Sequence, residues 1–478
     1  MPPPEHIDAP TGRAGALLRA ALREHDAAGL AAFRVLFGVL VAVSAIRFEL
    51  NGWVEQFFVA PSFFFHHWGF EWVRPLPAAQ MHALFAVMAV AGVCIAAGAL
   101  YRVACVAFFL AFTYVELCDV TNYLNHYYLV SLLGLLFAFL PLNAAYSVDA
   151  LVRPAIARAT LPAWVSWLLR FQVGVVYFFA AIAKAQPDWL LHGQPLGIWL
   201  SSRTDLPVVG PYLDLPAVAL AMSWGGFLYD LTIPLWLSLR RTRPFAYAAV
   251  LGFHTAVGIL FPIGMFPWIM IVSTTIFFAP DWPRRLWAFV LRRAPSAVAG
   301  VERAATWSGR RAAIALVAVY VVLQVIVPLR TFAYGGDVLW HERGMRWSWR
   351  VMVREKNASV VYRVRARGWS RERIVSPDRY LTAIQEREMG TQPDLVLQLA
   401  HHIRDELEAR GLEDVEVRAD VLVSLNGRAM ARLVDPEFDL AHVEDDPLAP
   451  APWILPSPGG APPTLGRRAA MVAAGRTE

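Results

Sequence analysis

Residues 178–193 read FFAAIAKAQPDWLLHG, an apolar run with one lysine, Lys184, just before it breaks at Pro187, Asp188 and Trp189. A lysine in that position has two physical explanations. It reaches for water from the end of a membrane segment, as long basic side chains do. Or it is held dry, where lost solvation favours the neutral amine that can take up a proton. Other ionisable groups lie inside apolar runs: Asp230 in GGFLYDLTIPLW and His254 in GFHTAVG. Such groups at bilayer depth are rare and are functional candidates by default. Asp230 reads equally as a structural ion-pair partner or a site residue, and His254 equally as an interhelical hydrogen-bonding group or a catalytic contact. Asp188 and Trp189, beside Lys184, read as polar residues of structural or site role. Arg34 and Arg170 fall near the ends of their runs, where snorkelling accounts for them.

Composition sets the solvent for these groups. Of 478 residues 57% are hydrophobic and only 17% charged, against about 25% charged in an average soluble chain, and the mean hydropathy is +0.44. A bilayer is the implied environment. The basic balance, with a pI near 9.2, does not imply nucleic acid, because the arginines sit between apolar runs and form no basic face. Cys94, Cys105 and Cys118 all lie inside apolar runs without metal-ligand spacing and read as small buried hydrophobes, so no metal is expected.

Nine runs have the length and apolarity of membrane spans: 30–48, 80–100, 103–119, 126–141, 164–185, 215–238, 245–262, 264–280 and 312–329. Residues 1–29 form a polar tail and an amphipathic helix with no removable signal peptide. With the amino terminus inside, the inner segments hold sixteen arginines and the outer loops two, Arg74 and Arg203. Arginine and lysine favour cytoplasmic loops, so this asymmetry sets the orientation. Everything after residue 330 then lies outside. Asn125 and His126, which open span four in YLNHYYLVSLLG, share a level with Lys184 at the outer end of span five.

After residue 330 the chain turns polar. ASVVYRVRARG alternates as a strand does, DLVLQLAHHIRDELEARGL has helical periodicity ending at Gly411, and Asn426-Gly427 joins two strand-like runs as a type I′ turn. The expected architecture is an α-helical polytopic membrane domain over 30–330, a small extracytoplasmic α+β domain over 331–442, and a disordered tail rich in Pro, Ala and Gly over 443–478.

LNHYYLVSLLG, VYFFAAIAKAQPDWL, FPIGMFPWIMI and RWSWRVMV occur in that order, with RPLP, YSVDALV and VLVSLNGRAMARLVDPEFDL at matching places. Together they resemble the vitamin K-dependent γ-glutamyl carboxylase family, in its bacterial branch of horizontally transferred transmembrane (HTTM) domain proteins, over roughly residues 30 to 440. The resemblance implies a lyase that oxygenates vitamin K hydroquinone, or a menaquinol-type reduced quinone, with O₂ to the epoxide. The strong base so formed removes a γ-proton from a peptide glutamate, which then takes up CO₂. It places the quinol-deprotonating lysine on Lys184 and an Asn-His pair serving the later steps on Asn125 and His126. It puts Ile263, Gly264, Met265 and Phe266 near the quinone, with His254 beside them. The implied partners are the lipid bilayer, the quinone and a glutamate-containing protein or peptide, with no nucleic acid, and the implied location is a bacterial cytoplasmic membrane. Two departures stand out. The C-terminal domain has no cysteine to tie it to the membrane half, and the chain ends soon after the hairpin, where animal members continue. The alternative is a non-carboxylating membrane protein of the same fold, either a quinone epoxidase only or a lipid- or solute-handling protein.

Overall fold

A run of about 20 apolar residues spans the hydrocarbon layer only as a helix, because every backbone polar group must be paired internally there. The computed structural model describes residues 12–292 and 310–463. Its N-terminal half holds helices α1 (Gly12–Leu22), α2 (Ala28–Leu50), α3 (Ala78–Ala97), α4 (Tyr101–Cys118), α5 (Asn125–Phe139), α6 (Ala163–Lys184), α7 (Pro216–Ser238), α8 (Arg243–Leu260) and α9 (Phe266–Thr274), followed by α10 (Arg310–Leu329). Strands β1 (Glu24–Asp26) and β2 (Thr160–Pro162) pair antiparallel ahead of α2 and α6.

Among the described residues, six helices are long and apolar enough to cross a membrane: α2, α3, α4, α6, α7 and Ala313–Ala333. The nine expected runs therefore divide. Residues Asn125–Phe139 and Phe266–Phe277 are apolar but shorter, and 15 residues of helix rise only about 23 Å. Sequence breaks explain both. Pro141 follows the last residues of α5, and the 264–280 run starts with Gly264 in the left-handed region (φ 59) and resumes helix only at Phe266, with Pro267 in its first turn. Helix α8 has 18 residues, but Arg243 and Pro244 in its first turn, with Tyr247 and His254 further along, leave it outside the apolar set.

Close backbone approach holds the first helices together. A Cβ on Gly38 would sit 2.4 Å from the backbone nitrogen of Ala96, and one on Gly92 would sit 2.7 Å from that of Ala42. Small residues at such crossings let membrane helices pack at contact distance. Arg34 departs from the snorkelling expectation. It is wholly buried, and its guanidinium donates to the carbonyls of Leu142 (3.1 Å), Tyr146 (2.6 Å), Ala145 and Ala96 (both 3.3 Å). Arg170 likewise donates to the carbonyls of Ile276 (2.9 Å) and Phe278 (3.2 Å). Each arginine thus satisfies carbonyls left open where another helix ends.

The C-terminal half is an antiparallel sheet of order β4-β3-β5-β6, with β3 (Lys356–Arg365), β4 (Arg373–Val375), β5 (Glu416–Leu425) and β6 (Ala431–Arg432). Burial alternates along β5, so Val417, Ala419, Val421 and Val423 share one face. That face packs with Leu395, Val396, Leu399, Ala400 and Ile403 of α12 (Pro393–Ala409) in one apolar cluster. The preceding α11 (Ala383–Gly390) opens with a capping box between Thr382 and Gln385. At the hairpin, Asn426 (φ 52) and Gly427 (φ 81) both take left-handed conformations, as a type I′ turn demands.

This turn clasps the two halves. Asp188 accepts hydrogen bonds from Asn426 Nδ2 (2.7 Å) and from both terminal nitrogens of Arg428 (2.6 and 2.7 Å). Around it, Trp199 donates to Glu355 (2.6 Å), and Gln385 donates to Asp119 (2.7 Å) and to the Phe63 carbonyl (2.8 Å). The segment after 442 is not free as far as it is described. Trp453 is buried, Ile454 bridges to Val434, and the Leu455 carbonyl accepts from Trp340 (2.8 Å). The rest of the expected tail, from 464, lies outside the described residues, as does the start of the polar amino-terminal tail.

The clasp yields a prediction. Asp188→Ala or Arg428→Ala strips one partner from a largely buried bidentate pair, at a cost of roughly 3 kcal/mol. Hydrogen exchange should rise in residues 186–194 and 425–430 together. Arg428→Lys should recover only part of the protection, because an ammonium cannot make the fork; equal protection in the lysine and wild-type proteins would sink the bidentate account.

Candidate active site

A cavity of about 600 Å³ opens where the helical half meets the C-terminal domain. Its deep part is apolar, walled by Leu40, Phe85, Met88, Phe108, Phe112 and Val130, and its outer part carries Arg47, Gln56, Asn122, Arg387 and Glu388. Asn125 and His126 line it, and so do Ile263, Gly264, Met265 and Phe266, more than 130 residues later in the chain. The His126 ring packs on Tyr127 (4.6 Å between centroids) and Phe266 (5.6 Å). Asn125 Oδ1 accepts from the Tyr123 hydroxyl (3.2 Å), and Nδ2 donates to the Arg350 carbonyl (3.4 Å).

The residues expected around Lys184 form a second group, one layer away. Lys184 is buried; its ammonium donates to Asp230 Oδ2 at 2.8 Å and lies 5.3 Å from the Trp189 ring centre. Asp230 is thus the lysine's ion-pair partner. His254 Nε2 and the Tyr177 hydroxyl are 3.0 Å apart, and the His254 ring faces both Phe266 (5.7 Å) and Tyr229 (6.1 Å). Neither Lys184, Asp230 nor His254 lines the cavity. The connection runs through shared walls. His254 backs Phe266, while Trp189 belongs to an apolar cluster against which Ile263 and Met352 pack, both of them cavity residues. Asp188 turns away from this chemistry to the interdomain clasp.

The RWSWRVMV segment, 346–353, forms part of the roof. Trp347 (φ 60), Trp349 (φ 60) and Met352 (φ 51) all adopt left-handed backbone, a cost of about 1–3 kcal/mol each for bulky residues. Contacts with the helical half hold the segment there. The Trp347 amide donates to the Tyr123 hydroxyl (2.7 Å), and the Trp349 ring stacks on Tyr128 (4.8 Å). His67 stacks on Trp347 (5.4 Å); burial pulls its pKa down to about 3 and keeps it neutral. Burial also pushes the Asp119 carboxyl up to about 6, although Thr121 and Gln385 donate to it.

The sequence reading overlooked Glu116 and Arg47, which both line the cavity. The signal for Glu116 was present: an acid inside the apolar run AFTYVELC, the criterion that singled out Asp230. Among the described residues, no group of three or more His, Cys, Asp or Glu side chains is arranged to hold a metal ion.

Six helices long and apolar enough to cross a membrane, among the described residues, and an apolar cavity under a clasped α+β domain mark an integral membrane protein. Residues 22–282 match the HTTM domain family, and residues 309–459 match the family described as vitamin K-dependent gamma-carboxylase, lumenal domain. The chain belongs to the vitamin K-dependent γ-glutamyl carboxylase family. No solved structure matches it.

Two predictions follow from the charges. Breaking a buried ion pair from one side costs about 3–5 kcal/mol, whereas apolar replacement of both partners is nearly neutral. Asp230→Asn and Lys184→Met should each lower the thermal midpoint, and the double variant Lys184→Met/Asp230→Leu should recover most of the loss; strictly additive losses would show the two are uncoupled. For Asp119, burial lifts the folded carboxyl from its ordinary 3.8 to about 6. Between those values the folded protein holds a proton that the unfolded chain releases. Its contribution therefore grows as pH falls through 6 and is lost as pH rises above it. The thermal midpoint should shift upward for this reason from pH 7.5 to pH 5.5, and Asp119→Asn should shrink that shift.

Proposed function

We propose that the protein is a reduced-quinone-dependent γ-glutamyl carboxylase-like membrane enzyme, acting on a vitamin K hydroquinone or menaquinol-type ligand, O₂, CO₂ and a glutamate-containing peptide. The observation that carries this reading is the meeting of Asn125–His126 with Ile263–Phe266 on the wall of one apolar cavity. The residues fit the ligand class: an apolar inner wall for a ring and tail, and a small set of polar groups at one end.

A γ-proton of glutamate is too weakly acidic for any side chain to remove, and a bound reduced quinone with O₂ supplies the base that can. The chain's own residues bind, orient and move protons. Phe85, Phe108 and Phe112 exclude water from the ring. Asn125, tied between Tyr123 and the Arg350 carbonyl, and His126 serve the glutamate-proton and carboxylation steps. The quinol proton goes to Lys184, which stands one layer of side chains behind the cavity wall and so receives it across the layer of Trp189 and Ile263, after its ammonium has passed a proton to Asp230, at 2.8 Å. His254 supports Phe266 from behind. The outer end of the cavity, where Arg47 and Arg387 lie, admits the peptide carboxylate.

The same reading assigns nine crossings, with α5, α8 and α9 completing the six clear spans. The amino terminus is inside, and the lumenal domain faces outward from a bacterial cytoplasmic membrane. The arginine asymmetry supports this orientation, and a reporter fused after Glu478 should be active only on the outer side.

Purified protein incubated with vitamin K hydroquinone, O₂, labelled bicarbonate and a Glu-rich peptide should form epoxide and fix label, the two assayed separately. Epoxide without label would leave an epoxidase only; neither product would reject the enzyme reading. Lys184→Ala and Lys184→Arg should both abolish oxygenation, because a guanidinium stays protonated and cannot accept the proton; an active Lys184→Arg would return this residue to a charge anchor. His126→Ala should reduce label fixation more than epoxide formation.

A further inference from the structure

Two arginines stand at the outer end of the cavity, Arg47 and Arg387, and they are not equivalent. Arg387 is paired with Glu388, its neighbour in the chain (3.4 Å). Among the described residues, no hydrogen bond or ion pair engages the Arg47 guanidinium. It lies over the Trp53 ring, 4.9 Å from the centre. That ring is braced by Phe48 (5.2 Å) and Phe57 (6.5 Å), which line the cavity as well. A guanidinium held over an aromatic ring keeps the donors around its edge free. The local acids are turned elsewhere. Glu49 is two residues on in α2, so the two side chains do not face each other, and it meets His82 of α3 instead (2.8 Å). Glu55 approaches the same histidine (4.0 Å). Glu116, the other acid of the wall besides Glu388, makes no ion pair with Arg47, and the polar neighbours Gln56 and Asn122 are neutral. The buried cations of the helical half differ, since Arg34, Arg170 and Lys184 all have close partners. Arg47 is a positioned cation at the mouth of the cavity with its donors uncommitted.

We propose that Arg47 is the receptor for the side-chain carboxylate of the peptide glutamate, which its guanidinium holds by two parallel N–H···O bonds. The identity of that anion as a substrate glutamate rests on the function proposed above. A planar carboxylate has two oxygens that match the guanidinium fork. An amide of the same shape offers one oxygen and an NH₂ that meets the fork donor to donor. Arg47 thereby selects glutamate over glutamine. It also sets the register of the peptide, because the carbon that gives up its proton is the one next to the held carboxylate. When that C–H bond breaks and the proton passes to the base supplied by the reduced quinone and O₂, the electron pair left behind spreads onto the two carboxylate oxygens. A fixed guanidinium on those oxygens stabilises the added charge.

The test uses the full chain in lipid nanodiscs, with two end-capped peptides as probes, one carrying a single internal glutamate and the other glutamine in its place. Wild-type protein should bind the glutamate peptide about ten-fold more tightly or better, as expected for hydrogen bonds between charged groups. Arg47→Gln should lose that preference while binding the glutamine peptide as wild type does. Arg47→Lys should keep part of it, because the charge stays and the fork is lost. Arg387→Gln should weaken the preference less than Arg47→Gln does. Vitamin K₁ quinone, a probe with no carboxylate, should bind wild type and Arg47→Gln equally, which a merely structural role for Arg47 would not allow. Retention of the wild-type preference by Arg47→Gln overturns the proposal. So does a larger loss in Arg387→Gln, or weakened quinone binding in Arg47→Gln. If the glutamine variant does not fold, the lysine variant decides, and an undiminished preference there overturns the proposal. Wild-type protein that binds neither peptide, or both equally, overturns this assignment alone. A glutamate preference without epoxide or fixed label in the assay above overturns the enzyme reading and leaves Arg47 a carboxylate receptor.

Discussion

Within the hydrocarbon layer a charged side chain has no water to solvate it, so its partner must be protein, a bound ligand or the membrane surface. The helical half is organised around that constraint. Arg34 and Arg170 are not interfacial anchors; each feeds its guanidinium into the open carbonyls of a neighbouring helix end. They convert two liabilities, a buried cation and unpaired carbonyls, into joints between segments distant in sequence. Lys184 and Asp230 neutralise each other across α6 and α7 at 2.8 Å. Glu116 stands apart because its partner is missing among the described residues, and it faces the cavity.

The second constraint is how two halves of different character stay in register without a disulfide. None of the three cysteines lies in the C-terminal domain. Asp188, presented by the short helix after Lys184, receives the fork of Arg428 and the amide of Asn426. The type I′ turn puts both donors at one corner. Asn125, Tyr123 and Tyr128 meet the 346–353 segment from the other side. Left-handed backbone at Trp347, Trp349 and Met352 is tolerated because these contacts over-determine it. The roof of the cavity is therefore assembled from both halves, and its shape depends on their docking.

This arrangement connects the cavity to the buried ion pair without merging them. Phe266 touches His126 on one face and His254 on another, and His254 meets Tyr177 and Tyr229 beside Asp230. Ile263 and Met352 join the cavity wall to the cluster of Trp189, whose ring lies beside the Lys184 ammonium. A ligand in the cavity and the charge state of Lys184–Asp230 therefore share a single layer of side chains. That layer excludes water and strengthens every electrostatic contact inside it.

The sequence by itself determined the membrane class, the apolar runs, the alternating strands, the Asn426-Gly427 turn and the family, because composition, periodicity and turn chemistry are local properties. It also marked Asn125, His126, Lys184, Asp230 and Ile263–Phe266 as the residues worth following, from the rarity of polar groups in apolar runs and from the resemblance. Only the tertiary structure decided which of them meet. Asn125–His126 and Ile263–Phe266 share a wall, whereas Lys184 turns to Asp230 and Asp188 to Arg428. Hydropathy read 126–141 and 264–280 as spans; Pro141, Gly264 and Pro267 shorten the helices formed there to Asn125–Phe139 and Phe266–Thr274. Glu116 and Arg34 show the limit most plainly. The choice between snorkelling, pairing and facing a cavity depends on what neighbouring helices place within about 3 Å, and that is set by the packing of segments more than a hundred residues apart.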